Sequence, residues 1–139
     1  VAQGPVVMAV RQIAGNNNQG AGAIAMRQNA GNSAHGAEAV AVGSDTGLRD
    51  QRPQAVTIVQ NAGFTNQGTG AVAIGSDAGF SAQGTGAIAI GLDAGSVTQR
   101  TVAVAVGRFA GNSNQGTGAI VMGQNAGNAE QGAGGVAIG

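Results

Sequence analysis

Few residues of this chain could carry out chemistry, and their spacing does not bring them together. The 139 residues include one histidine, His35, no cysteine and six acidic residues in all. A nucleophilic triad needs a histidine held between a nucleophile and an acid, and a zinc site needs several His or Cys ligands. The acidic residues are scattered, without the apolar setting that raises a carboxyl pKa for acid catalysis. We therefore expect no enzyme, no catalytic residue, no metal-binding residue and no cofactor.

Charge and composition exclude two further classes of function. Six arginines balance the six acidic residues, lysine is absent, and there is no Tyr or Trp. Nucleic-acid binding uses basic patches and aromatic stacking platforms, so we expect no nucleic-acid partner. No apolar run approaches the roughly 20 residues of a membrane helix, so we expect no direct membrane insertion of this segment.

The elements that position these residues follow from a repeat. Glutamine recurs every 16 residues, with His35 in its place once, and the repeats begin at residues 3, 19, 35, 51, 67, 83, 99, 115 and 131. The consensus is Q-G-[TAP]-x-A-[VI]-A-[VIM]-G-x-[ND]-A-G-x-x-x, with Gln as position one. We treat residues 1–139 as a single domain of about eight and a half repeats, and expect it to be a segment of a longer protein.

The pattern within each repeat predicts the fold. Positions six and eight are always Val, Ile or Met, and this spacing of two is the period of a β-strand. Position thirteen is Gly in every full repeat, which indicates a backbone corner with positive φ or close approach. Sixteen residues are too few for the helix pairs of longer repeats but suffice for one coil of a solenoid. The sequence therefore predicts an all-β protein, a parallel β-solenoid or β-roll with 16-residue coils.

Side-chain size suggests which residues point inward. We expect the larger aliphatic side chains to form the core: Ile24, Val40, Val42, Ile58, Val72, Ile74, Ile88, Ile90, Val104, Val106 and Ile120. The alternate strand positions are mostly alanine and would then form an exposed apolar stripe, which a soluble monomer rarely leaves open. We therefore expect a homo-oligomer whose subunit interface contains Ala23, Ala25, Ala71, Ala73, Ala87, Ala89, Ala103 and Ala105.

Three columns of like residues allow a structural and a functional interpretation. The glutamines favour an amide ladder, as in cross-β stacks, with His35 as a tolerated substitute. Asn or Asp at position eleven, beside the corner glycine, favours turn stabilisation over a calcium ladder. Exposed threonines at position three, in a column from Thr69 to Thr117, would suit ice binding, although ice-binding solenoids generally carry two such columns.

The phrases "GAVAIGSDAG" (70–79) and "GAIAIGLDAG" (86–95) resemble the head repeats of trimeric autotransporter adhesins, the YadA-like head. Similar phrases occur in viral fibre proteins. The resemblance covers essentially the whole chain, but it departs from the family's Ser or Asn before the strand and from its common 14-residue coil. It implies a left-handed parallel β-roll, three chains side by side, and display at a cell surface.

These observations favour a non-enzymatic structural or adhesive function. We expect a head or shaft segment of a surface adhesin or fibre that mediates attachment, extracellular by resemblance, with a trimer favoured and a host matrix or cell-surface ligand unidentified. The alternatives are an ice-binding solenoid and a self-assembling or viral fibre segment.

Overall fold

Short strands separated by tight corners make up the chain, because every run of β-branched residues ends within three residues at Gly, Asn or Asp. The computed structural model describes residues 8–10 and 13–139; the first repeat start, Gln3, lies outside them. The strands are β1 Met8–Val10, β2 Asn17–Gln19, β3 Ile24–Met26, β4 Ser33–His35, β5 Val40–Val42, β6 Arg49–Gln51, β7 Val56–Ile58, β8 Thr65–Gln67, β9 Val72–Ile74, β10 Ser81–Gln83, β11 Ile88–Ile90, β12 Val97–Gln99, β13 Val104–Val106, β14 Ser113–Gln115, β15 Ile120–Met122 and β16 Val136–Ile138.

The strands form two parallel sheets that face each other across a thin interior. The first sheet has nine strands in the order β1-β3-β5-β7-β9-β11-β13-β15-β16, and the second has seven, from β2 to β14. Each residue pairs with the residue 16 positions later, as Ile88 does with Val104 and Gln83 with Gln99. An isolated bridge between Gln115 and Gln131 continues the second sheet by one coil. The predicted all-β parallel solenoid with 16-residue coils is confirmed.

Corners between the strands use left-handed backbone in fixed columns. A tight turn leads into each first-sheet strand after β1, closed by a bond such as Ala71 N–H to the carbonyl of Gly68 (3.1 Å). A second turn leaves that strand, with Asp77 at φ 55° and Gly79 at φ 52°. Non-glycine residues also adopt positive φ inside the second sheet, where Asn66 has φ 55°. These strands are therefore bent, which helps sixteen residues close one coil.

The core consists of small residues, and the prediction of a Val and Ile core is wrong. Alanines at positions five, seven and twelve are completely buried except in the terminal coils; the fully buried apolar set is Ala23, Ala25, Ala30, Ala39, Ala41, Ala55, Ala62, Ala71, Ala73, Ala78, Ala87, Ala89, Ala94, Ala103, Ala105, Ala110 and Ala119, with Val121. The residues predicted to be core lie on the outer side of the first sheet, half-buried or exposed; they are Ile24, Val40, Val42, Ile58, Val72, Ile74, Ile88, Ile90, Val104, Val106 and Ile120. Ile90 is 38% exposed and Ile120 is 40% exposed.

The same inversion overturns the predicted subunit interface. Ala23, Ala25, Ala71, Ala73, Ala87, Ala89, Ala103 and Ala105 are each 0% exposed in a single chain, so none can contact a neighbouring molecule. The physical reason is the width of the coil. Position seven faces the buried glutamines of the second sheet, as Thr57 Oγ1 does at 2.6 Å from Gln51 Nε2, so only a small side chain fits there at the density of a protein interior.

Apart from His35, glutamine supplies the large side chains of the core in the described coils. Gln67 and Gln115 are fully buried, and Gln83 and Gln99 are nearly so. Space for each glutamine is created by the glycine four residues before it, since a Cβ on Gly95 would overlap the side chain of Gln99. Position thirteen is therefore glycine for two reasons, its positive φ and the amide packed against it.

Candidate functional surfaces

A continuous apolar surface covers the outer side of the first sheet. We call it the apolar face; it consists of positions six and eight of every described coil, in register across neighbouring strands. Its most exposed members away from the ends include Met26 (36%), Ile90 (38%) and Met122 (44%). Neighbouring coils are about 4.8 Å apart, so these side chains pack against one another along the rod, while their terminal atoms remain exposed to solvent.

The apolar face carries no charge, and only two charged residues lie on the described parts of its edges. Arg27 occupies position nine, where the strand ends, and Glu38 occupies position four, before the next strand begins; both are exposed. Gln54 Nε2 donates a hydrogen bond to Glu38 Oε2 (3.2 Å). Elsewhere the edges are mostly glycine, and at Gly75 a Cβ would lie 2.5 Å from the carbonyl oxygen of Gly91. The edges therefore carry few side chains, and the apolar face projects beyond them.

Polar residues dominate the outer side of the second sheet. Position fifteen reads Asn17, Ser33, Arg49, Thr65, Ser81, Val97 and Ser113. Phe64 and Phe80 stack beside this sheet with ring centroids 4.9 Å apart and an interplanar angle of 9°. The two outer surfaces of the rod thus differ in character, one apolar and one hydrophilic.

The predicted glutamine ladder exists in part, and it lies inside the rod. Gln83 Nε2 donates to Gln99 Oε1 (2.8 Å), and Gln99 Nε2 donates to Gln115 Oε1 (2.9 Å). Elsewhere the amides turn to other acceptors, as Gln67 Nε2 does to the carbonyl of Gly79 (2.9 Å). Because these side chains are buried, the column stabilises the coils and is not a binding surface.

His35 occupies the glutamine column as a neutral, buried ring. Gln19 Nε2 donates to the carbonyl of Gly31 (2.7 Å), which leaves Gln19 Oε1 as the acceptor for His35 Nδ1 (2.8 Å). His35 Nε2 is buried and has no hydrogen-bond partner. Burial lowers the pKa of His35 to about 4, and the neighbouring Gln51 side chain opposes this shift. A protonated His35 would bury a positive charge, and the hydrogen bond that the Gln51 side chain offers it offsets only part of that cost.

The column of Asn and Asp at position eleven stabilises corners. Asn29 Nδ2 donates to Asp45 Oδ1 (2.8 Å), and Asn61 Nδ2 donates to Asp77 Oδ1 (3.1 Å). Asp93 comes after Asp77 in this column, one coil further along. Burial and the Asp77 charge raise the pKa of Asp93, and the Arg108 charge opposes this rise. An asparagine thus donates to the carboxylate of the next coil at two places, whereas Asp77 and Asp93 place two carboxylates in succession.

The threonine column lies in an open groove at the corner between the sheets. Thr69, Thr85, Thr101 and Thr117 are exposed at single-coil spacing. Three of them line a groove of about 810 Å³ whose other wall includes Asp50 and Asn66. The threonines are on a turn and form a single column, so they do not present the flat, two-column surface associated with ice.

Within the described residues, no three His, Cys, Asp or Glu side chains come close enough together to hold a metal ion. The same part of the chain contains no helix long and apolar enough to cross a membrane.

The apolar face is the candidate functional surface, and sequence reasoning named its residues but assigned them to the interior. A signal for the true orientation was available. Positions five, seven and twelve hold almost only alanine, and a column that admits only the smallest side chain indicates the side where backbones approach most closely. Comparison of the chain with protein-family models, curated proteins and solved structures finds no match.

Proposed function

We propose that this protein is a non-enzymatic structural segment of a surface adhesin or fibre, in which several identical rods pack together to form the head or shaft. The observation that carries this proposal is the apolar face, an uninterrupted row of Val, Ile and Met along the rod. Soluble monomers rarely leave a contiguous apolar surface of this length exposed.

The period of the solenoid makes a second copy the best partner for this face. Side chains project every coil, about 4.8 Å apart, and only another rod with the same spacing can repeat one contact at every coil. A homo-oligomer follows, and the resemblance to trimeric adhesin heads favours a trimer at a cell surface. The hydrophilic outer side of the second sheet then remains available for a host matrix or cell-surface ligand.

Replacing two residues of the apolar face tests the assembly. We expect the wild-type protein to sediment as an oligomer and the double variant Ile74→Arg, Ile90→Arg to sediment as a folded monomer, because the new charges project outward and disrupt only the contact between rods. The matched control is Thr65→Arg on the second sheet, where Arg49 occupies the equivalent position. A wild-type monomer at all concentrations contradicts the assembly.

Attachment needs its own measurement. We expect the oligomer to bind at least one of collagen, fibronectin and laminin in a surface-binding assay, and the monomeric variant to bind more weakly because it presents one site instead of several. If the wild-type protein binds none of the three, this result argues against an adhesive role, and the structural role of a fibre shaft remains.

Ice binding is the second candidate function: the threonines are exposed at single-coil spacing, which supports it, although their single column on a turn is not the usual ice-binding surface. Freezing-point hysteresis with faceted crystals, lost on Thr85→Val with Thr101→Val, would support it over attachment.

A further inference from the structure

Two arginines occupy a position that is otherwise glycine. Position two of the repeat is Gly in every other described coil, but it is Arg52 in one coil and Arg100 in another, three coils further along. A side chain at this position points along the rod at the coil that follows, since a Cβ on Gly68 or on Gly84 would lie 2.5 Å from the main chain there. A residue other than glycine therefore fits only if the next coil moves away.

The contact between coils is looser at both arginines. The N–H of position two donates to a main-chain carbonyl of the next coil over 2.7–2.8 Å where glycine donates it, as Gly68 (2.8 Å) and Gly84 (2.7 Å) do. The same hydrogen bond measures 3.1 Å at Arg52 and 3.2 Å at Arg100. Local strain that the rest of a fold tolerates is characteristic of functional sites.

Both guanidinium groups are exposed and without an internal partner. Within residues 8–10 and 13–139, neither Arg52 nor Arg100 forms a side-chain hydrogen bond or an ion pair. Arg108, by contrast, lies over the ring of Phe109, 4.8 Å from its centroid. An exposed guanidinium of this kind can form a two-bond contact with a carboxylate of a ligand.

The two arginines lie along one groove, which we call the corner groove. Arg52 lines the space of about 810 Å³ that also contains three of the exposed threonines. Arg100 lines a second hollow of about 770 Å³, which continues along the same corner to Thr117. Three coils separate the arginines, a distance of about 14 Å along the rod.

Neutral polar side chains line the corner groove between the arginines. Thr69, Thr85 and Asn66 contribute hydroxyl and amide groups, which both donate and accept hydrogen bonds. The acidic residues of the lining lie at or beyond the ends of this stretch, Asp50 beside the first arginine and Glu130 two coils beyond the second. A ligand that spans the stretch thus meets a cation at each end and hydrogen-bonding groups between them.

These features favour one class of ligand. An acidic peptide binds most readily as an added strand, but main-chain groups beside the groove already bond from coil to coil, as Gly68 N–H does. Nucleic acids need many cations or aromatic stacking platforms, and the described lining contains two arginines and no aromatic side chain. An acidic polysaccharide offers hydroxyls to the threonines and carboxylates to the arginines, and its sugar residues repeat at a distance close to the rise of one coil.

We infer that the corner groove binds an acidic polysaccharide, whose carboxylates pair with Arg52 and Arg100 while sugar hydroxyls between them bond to the threonine column. This inference rests on the adhesive part of the proposed function, for which it names a class of ligand and a site. It does not depend on assembly of the rods.

Galacturonate oligosaccharides test the site, because they carry one carboxylate on each sugar and their methyl esters are neutral. We expect the hexamer to bind at low ionic strength, the dimer to bind more weakly because it cannot reach both arginines, and the esterified hexamer not to bind. Arg52→Gly and Arg100→Gly should each raise the dissociation constant of the hexamer roughly tenfold. Asp50→Asn, which removes the negative charge beside Arg52, should lower it.

Thermal unfolding separates loss of binding from loss of structure. Arg52→Gly and Arg100→Gly restore the glycine of the other coils, so both variants should unfold at the wild-type temperature or above it. A lower unfolding temperature would show that the arginines serve stability, and it would overturn the argument from strain on which the site depends.

The matched control is Arg49→Ser, which removes the same charge from the outer side of the second sheet, where Ser33 and Ser81 occupy the equivalent position. It should leave hexamer binding unchanged, and an equal loss in this control and in Arg52→Gly overturns the site. Equally tight binding of hexaglutamate overturns the class of ligand. A wild-type protein that binds no galacturonate overturns this inference, while its binding to collagen, fibronectin or laminin would leave the adhesive function intact.

Discussion

At the scale of single residues, His35 makes the stability of the rod depend on pH. Its pKa is about 4 in the folded chain and about 6.5 when unfolded. Below pH 6.5 the unfolded chain binds a proton that the folded chain does not. Stability therefore falls from pH 6.5 to pH 4 and levels off below that, by about 3 kcal/mol at most.

We expect His35→Gln to remove this acid sensitivity, because it restores the amide of the other coils and no longer titrates. Urea unfolding of both proteins at pH 7 and pH 4.5 checks it. A wild-type protein that loses no more stability than the variant over this range would show that His35 is hydrated in the folded state.

Adjacent carboxylates at Asp77 and Asp93 provide a second residue-level prediction. Asp77→Asn should raise the free energy of unfolding at pH 7 by roughly 0.5–1 kcal/mol. The new amide can donate to Asp93, as Asn29 does to Asp45, and the repulsion between the two charges disappears. At a pH where Asp93 is protonated, the gain should shrink. Asp45→Asn is the control: Asp45 also accepts from an asparagine, but Asn61 and not a carboxylate follows it in the column, so the change relieves no repulsion and should bring less gain.

At the scale of the coil, the orientation of the first-sheet strands can be tested by size. Ala89→Leu should destabilise the protein by about 1–3 kcal/mol or more, because the interior has no room for the added atoms. The neighbouring Ile90→Thr should cost less, since its side chain points outward and keeps a β-branched shape. Thermal unfolding measures both, and the opposite order would mean that the isoleucines form the core.

The coil was largely predictable from the sequence, but which face of its first-sheet strand is buried was not. The period, a strand through positions six and eight and a glycine corner at position thirteen follow from residue types alone and agree with the structure, although that strand covers positions six to eight and not the expected four to eight. The left-handed twist of the roll stays a prediction. Alternation of residue types along a strand shows that its two faces differ but not which face is buried. Hydrophobicity alone favoured the face that carries Val and Ile, which is the outer one.

Which face of the strand is buried depends on the space between the two sheets, and the sequence analysis did not estimate that space. Val121 illustrates the constraint: it takes an alanine position, is fully buried, and lies against Gly127. Gln131, at the end of that segment, is only half-buried, unlike Gln115 one coil earlier. Gln131 lies in the last described coil, which no further coil covers, so its exposure reflects its place at the end of the rod.

At the scale of the whole molecule, the repeat makes length adjustable. Deleting residues 83–98 removes one full coil and places Gln99 where Gln83 was, so the register of both sheets is restored. We expect the shortened chain to fold with the same circular dichroism spectrum and a modestly lower stability, since one interface between coils is lost.

Deleting residues 83–90 instead should prevent native folding, because it joins half a coil to the next and turns buried positions outward. Equal stability of the two deletion variants would show that the coils do not act as register-locked units.

The hydrogen bonds of both sheets run along the rod, from each coil to the next, as Ile88 N–H to the carbonyl of Ala103 does. A pulling force along the rod therefore loads these bonds in tension and can open them one coil at a time from an end, whereas a force across the rod must shear several together. As a tether, a single rod would yield by stepwise unravelling, each step releasing 16 residues of slack. Bundled rods would share that load, so lateral association would set how much tension an assembly of rods withstands before it lengthens.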